Sequence, residues 1–188
     1  MKKKILTGIG FLIILAIAGG VYYEFFRNIT ISVELTPEQR SEYEAKVELY
    51  DQKIKTEVDE EDPLKRPRQD DFIEKARYLG YLGRLSDAER TLKADLRIYE
   101  ISQVAVHNLA KLYEQMKAWS RAARSYGQLV DAYQLPEYRW DMARMEREMG
   151  NIKEAGDQYW RYQKAFRTPS AEFEQWLRDH KYRRSRKE

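Results

Sequence analysis

From Phe72 onward the apolar positions fall at three- and four-residue intervals, and the pattern restarts at a fixed distance. Leu79 and Leu82, then Leu109, Leu112, Tyr113 and Met116, then Met142, Met145 and Met149 each form one face of a helix. Each stripe ends in a turn, at Gly83, Lys117 and Gly150, followed by an apolar corner residue, Leu85, Trp119 or Ile152. A second helix then runs through Ala88 and Leu92, through Ala122, Tyr126 and Leu129, and through Ala155, Tyr159 and Tyr162. Gly83 and Gly150 suit the left-handed conformation that ends a helix, because glycine has no Cβ to clash. Ser86 and Ser120 are the expected N-caps of the second helices.

The spacing of the small residues decides the architecture. Ala88, Ala122 and Ala155 lie 34 and then 33 residues apart, and Ala76, Ala110 and Ala143 repeat those spacings twelve positions earlier. A short side chain lets two helices approach closely. Independent columns in register at this period predict stacked helix–turn–helix units with one continuous core.

Ahead of the repeats the pattern changes. Ile5 to Tyr23 contains no charged residue and as a helix would span about 28 Å, close to the apolar thickness of a bilayer. Lys2, Lys3 and Lys4 precede it, and Tyr22, Tyr23, Phe25 and Phe26 form an aromatic flank. These features predict a spanning anchor at residues 1–27, with the N-terminus cytoplasmic and the remainder extracytoplasmic. Ala16–Ala18 also offers a small-x-small signal-peptidase site, so cleavage is the alternative. Residues 28–68 read as an extended spacer, a helix and a charged linker. The helix opens with Thr36, Pro37 and Gln39, a capping box, and carries the stripe Tyr43, Val47, Tyr50, Ile54 and Val58. That stripe could pack on the first repeat or pair with a second copy of the chain, and its fewer than three heptads favour the first repeat. Residues 169–188 read as a capping helix opening at Thr168–Pro169, with Phe173, Trp176 and Leu177 facing inward, and a basic tail.

The repeats occupy residues 69–168, and their columns resemble those of the tetratricopeptide repeat family. The middle unit matches through Asn108, Leu109, Ala110, Tyr113, Trp119, Ala122, Tyr126 and Leu129, and the third through Met142, Ala143, Gly150, Ala155, Tyr159 and Tyr162. The first departs at Lys75, where a leucine is expected, and at Asp95, where a small or apolar residue is. The resemblance implies an all-α, right-handed superhelical stack behind the membrane helix. It also implies a concave groove, lined by the first helix of each unit, that holds a peptide or protein.

Composition narrows the function. No cysteine is present, and His107 and His180 show no ligand spacing, so no metal or cofactor site is expected. No phosphate loop or nucleophile elbow occurs, so no catalytic residue is assigned and enzymatic activity is not expected. The net charge of +3 is polarised: the first lysines and the tail are basic, and the region between them carries about −4. The expected partner is a protein or peptide, with acidic groups a candidate feature, and no nucleic acid; oligomeric state stays open. Register transfer from the resembled family gives groove residues Arg77, Tyr81, His107, Asn108, Lys111, Trp140, Arg144 and Arg147, flanked by Ile73, Gln115 and Asp141. One position is cationic in every unit, Arg77, Lys111 and Arg144, a ladder suited to carboxylates. The competing reading is that these cations balance Glu114, Asp141 and Glu148 on neighbouring turns. The functional expectation is a membrane-tethered adaptor in envelope protein assembly or quality control. The alternative is a structural subunit of a larger complex with no free ligand.

Overall fold

A computed structural model describes residues 34–56, 66–100 and 102–183. Within these the chain forms eight helices and no strand: α1 (Pro37–Thr56), α2 (Gln69–Tyr81), α3 (Leu85–Ile98), α4 (Gln103–Gln115), α5 (Trp119–Ala132), α6 (Tyr138–Glu148), α7 (Ile152–Phe166) and α8 (Ala171–Asp179). The expected anchor, the spacer to residue 33, the linker segment 57–65 with Val58, and residues 184–188 of the tail lie outside the described residues. Among the described residues no helix is long and apolar enough to cross a membrane.

Consecutive helices pack against one another from α1 through to α7, six successive pairs, and α2 also touches α4. The three predicted units are the hairpins α2–α3, α4–α5 and α6–α7. Both alanine columns are completely buried at all six positions, as is the column Leu92, Tyr126 and Tyr159. Short side chains at these points are therefore what set the distance between helices.

One turn ends the first helix of every unit. The N–H groups of Arg84, Ala118 and Asn151 donate to the carbonyls of Leu79, Tyr113 and Glu146, at 2.8, 2.8 and 2.9 Å. Those of Gly83, Lys117 and Gly150 donate to Gly80, Glu114 and Arg147. This double closure needs a left-handed residue, and the φ angles of Gly83, Lys117 and Gly150 are 73°, 53° and 75°. Lysine replaces glycine in the middle unit and adopts the same conformation, so the turn is dictated by packing on either side of it. The turn is tight enough that the second helices start one residue earlier than expected. Leu85 and Trp119 are already helical, Arg84 and Ala118 occupy the cap positions, and Ser86 and Ser120 fall inside the first turn without capping it.

The ends of the stack differ. On α1 the predicted capping box forms: Thr36 N–H donates to Gln39 Oε1 at 3.0 Å and Gln39 N–H to Thr36 Oγ1 at 3.2 Å. The stripe of α1 faces α2, yet none of its residues is fully buried. At the other end α8 begins after Ser170, whose hydroxyl accepts from Phe173 N–H, rather than at Thr168. Pro169 lacks an N–H and sits outside the helix, which leaves the hydroxyl at 170 to do the capping. Phe173 and Leu177 join Ala143, Ala155 and Tyr159 in a small C-terminal core, separate from the main core that runs from α2 to α6. The Tyr182 ring then rests against Gly156, where a Cβ would collide with it, and its hydroxyl donates to Asp157 at 2.8 Å.

Candidate interaction face

The first helices of the units, α2, α4 and α6, bring the cation ladder to one side of the stack. None of its three members is left to a ligand alone. Arg77 pairs with Glu74 one turn before it. Lys111 lies 3.0 Å from Glu114 and 3.8 Å from Asp141. Arg144 lies 2.9 Å from Asp141 and 3.5 Å from Glu114. The balancing reading thus describes the ladder in this structure, with partners contributed across units as well as within them. Glu148 takes part differently, at 4.0 Å from Arg147, whose closer partner is Glu172 of α8 at 3.0 Å.

Electrostatics around this network follow from burial. Desolvation pushes the Asp141 carboxyl up, while Lys111 and Arg144 beside it act in the opposite direction. The completely buried Tyr126 donates its hydroxyl to Glu114, and desolvation with the nearby carboxylates holds that phenol protonated. Tyr126 also stacks on Tyr138, with ring centroids 5.8 Å apart. Glu114 therefore serves α4, α5 and α6 together.

Several register-transferred residues are structural in this fold. Asn108 is completely buried and donates its amide to the Val104 carbonyl at 2.9 Å. His107 is buried against the Tyr138 ring, and burial, reinforced by Lys111, lowers its imidazole to about 4. That histidine is neutral at pH 7. Trp140 is half-buried and packed against Tyr159, Tyr162 and Phe173, so it forms part of the C-terminal closure. Tyr81 lies 5.3 Å from Tyr43 of α1. Gln115, Arg144 and Arg147 remain on the open part of the face. With Glu114, Trp119, Met145 and Glu148 they line a cleft of about 450 Å³.

Two features of this face escaped the sequence. Trp119 reads as a corner plug, yet it also walls the cleft. Tyr126 reads as a core aromatic, yet its hydroxyl reaches into the charge network. The signal for the second was the column Gly80, Glu114, Arg147, which has a different charge in each unit and so cannot be a common packing position.

Exposure grades along the ladder. The side chains of Arg77, Lys111 and Arg144 are 9%, 22% and 40% exposed. The face is closed at the α2 end and open at the α6 end. Comparison of the chain with protein families, curated proteins and solved structures gives no match.

Proposed function

We propose that this chain is a protein-binding scaffold of the tetratricopeptide kind, tethered to a membrane through residues 5–23, with its repeats on the extracytoplasmic side. The observation that carries the proposal is the cleft on the open half of the face, where the half-buried Trp119 offers apolar surface between Arg144, Arg147, Glu114 and Glu148. A mixed polar and aromatic lining suits a protein segment, since aromatic and arginine side chains supply most interface energy. The buried alanine columns support the family resemblance. The lysine-flanked apolar run supports the tether.

Internal pairing shapes what the partner can be. An acidic segment would have to compete with Glu114 and Asp141 for the ladder, so its capture depends on exchanging one set of ion pairs for another. The same pairing favours a second reading, a structural subunit whose face is covered permanently by neighbours in a larger assembly. Co-purification of the intact chain from detergent-solubilised membranes, with identification of the bound chains, tests the proposal. Replacing Arg77, Lys111 and Arg144 by Gln together should reduce partner capture and its salt dependence. Unchanged capture by the folded triple variant at two salt concentrations would remove the ladder from the recognition surface. A C-terminal reporter active only in the cytoplasm would overturn the topology.

A further inference from the structure

The seat of α1 on α2 differs chemically from every other helix seat in the stack. The positions of α4 that face the preceding helix are Ala105, Leu109 and Leu112, all buried, and their counterparts in α6 are Tyr138, Met142 and Met145. In α2 the same column carries Asp71, Lys75 and Tyr78. Helix α1 answers with matching chemistry. Asp51 pairs with Lys75, Lys53 lies 3.8 Å from Asp71, and the rings of Tyr43 and Tyr50 lie 5.5 and 6.1 Å from Tyr78. Beneath this contact a cleft of about 470 Å³ remains, lined by Val47, Ile54, Phe72, Lys75 and Leu79 among others. The seat thus joins ions and phenols to the aliphatic Val47 and Ile54, and it loses less apolar contact when vacated than a seat made of leucines alone.

We propose that α1 is a releasable strap, latched by the Asp51–Lys75 pair, that covers the α2 end of the interaction face. This deepens the scaffold reading and rests on it for its biological meaning. While docked, Tyr43 packs on Tyr81, and Tyr43 and Tyr50 pack on Tyr78, the ring that lies 5.3 Å from the Arg77 guanidinium. Release uncovers Tyr78 and Tyr81 and, by freeing the Tyr78 ring, opens the packing around Arg77, which extends the open face toward the first unit. Partner access to the first unit is then set by the strap, and salt, which screens the latch, shifts its position.

The test uses the full-length chain and no partner, so it can fail independently of the scaffold reading. Amide hydrogen exchange reports α1, and phenylglyoxal modification read by mass spectrometry reports Arg77, with Arg144 as internal reference. Asp51→Lys sets a lysine against Lys75 and should speed exchange in α1 about tenfold while α4 to α7 stay protected. Arg77 modification should rise toward that of Arg144. Lys75→Asp should act likewise, and the double variant Asp51→Lys/Lys75→Asp should restore both signals in part, since Lys55, which pairs with Asp51 at 2.5 Å, then meets a like charge at position 51. Raising salt on the unaltered chain should move both readouts in the same direction as the single variants. Unchanged α1 exchange in both single variants would remove the latch. Faster α1 exchange with no change at Arg77 would show that α1 does not cover the face.

Discussion

The two ends of this stack are closed by helices of opposite design. At the C-terminal end a nine-residue helix, α8, drives Phe173 and Leu177 into a core with Ala143, Ala155 and Tyr159. Aromatic contacts surround it: Phe173 stacks on Tyr159 at 4.9 Å and meets Trp140 at 5.2 Å. At the N-terminal end a helix of 20 residues, α1, is held by ion pairs, tyrosine rings and the aliphatic Val47, and buries no residue fully. Length does not measure attachment. The short helix closes the array because fully buried apolar area leaves water, whereas the long one adds to its partly buried aliphatic contacts a set of ion pairs that water and salt compete for.

The largest expected effect is at the C-terminal closure. Phe173→Ala should lower unfolding stability by about 3–5 kcal/mol in urea titration. Tyr43→Ala, at the opposite end, should lower it by less than about 1.5 kcal/mol, and equal losses would break the comparison. Asp95 sharpens it next, from the α3 side of the N-terminal half. This carboxyl is completely buried, with Gln69 at 3.4 Å and the Ser102 hydroxyl beside it, and burial raises it to about 6. The folded state therefore holds its proton more tightly than the unfolded chain does. That contribution is present in full below pH 4 and is lost as pH rises to about 6, up to about 3 kcal/mol. Asp95→Asn should accordingly stabilise the protein at pH 7.5 and leave it unchanged at pH 4; equal stability at both would show that the carboxyl is solvated. Third, Ala155→Leu should overpack the seat of α8 and cost about 1–3 kcal/mol by thermal denaturation. An unchanged melting temperature would contradict the close approach seen there. The smallest effect belongs to Thr36→Ala, which removes half of the capping box and should cost about 1 kcal/mol, visible as faster exchange within α1 alone. Matching acceleration in α4 would mean that α1 unfolds only with the rest.

How far the sequence carries differs between core and face. The alanine columns were legible because close helix approach admits few residue types, so the constraint recurs at a period. Lys75 and Asp95 were legible only as departures. What Lys75 meets became visible with α1 in place, since Asp51 lies 24 positions earlier and no periodicity links them. The exposure of His107 and Asn108 was not legible, because a register names a position on a helix and burial depends on what the next helix brings. For the same reason the ladder could be seen in the sequence while its internal partners, Glu114 and Asp141, stood only as one of two readings.

Glu114 also makes the place of α4 chemically different from that of α6. Arrays of near-identical repeats are prone to misassembly, because one unit can occupy a neighbour's place with little loss. Here such a slip would be heard as a wrong note. Were α6 to take the place of α4, Arg147 would stand where Glu114 stands, and the buried Tyr126 hydroxyl would face a cation in place of its acceptor. A buried donor left without its acceptor costs about 1–3 kcal/mol. The column Gly80, Glu114, Arg147 thus makes the units unequal: only α4 brings an acceptor to the Tyr126 hydroxyl.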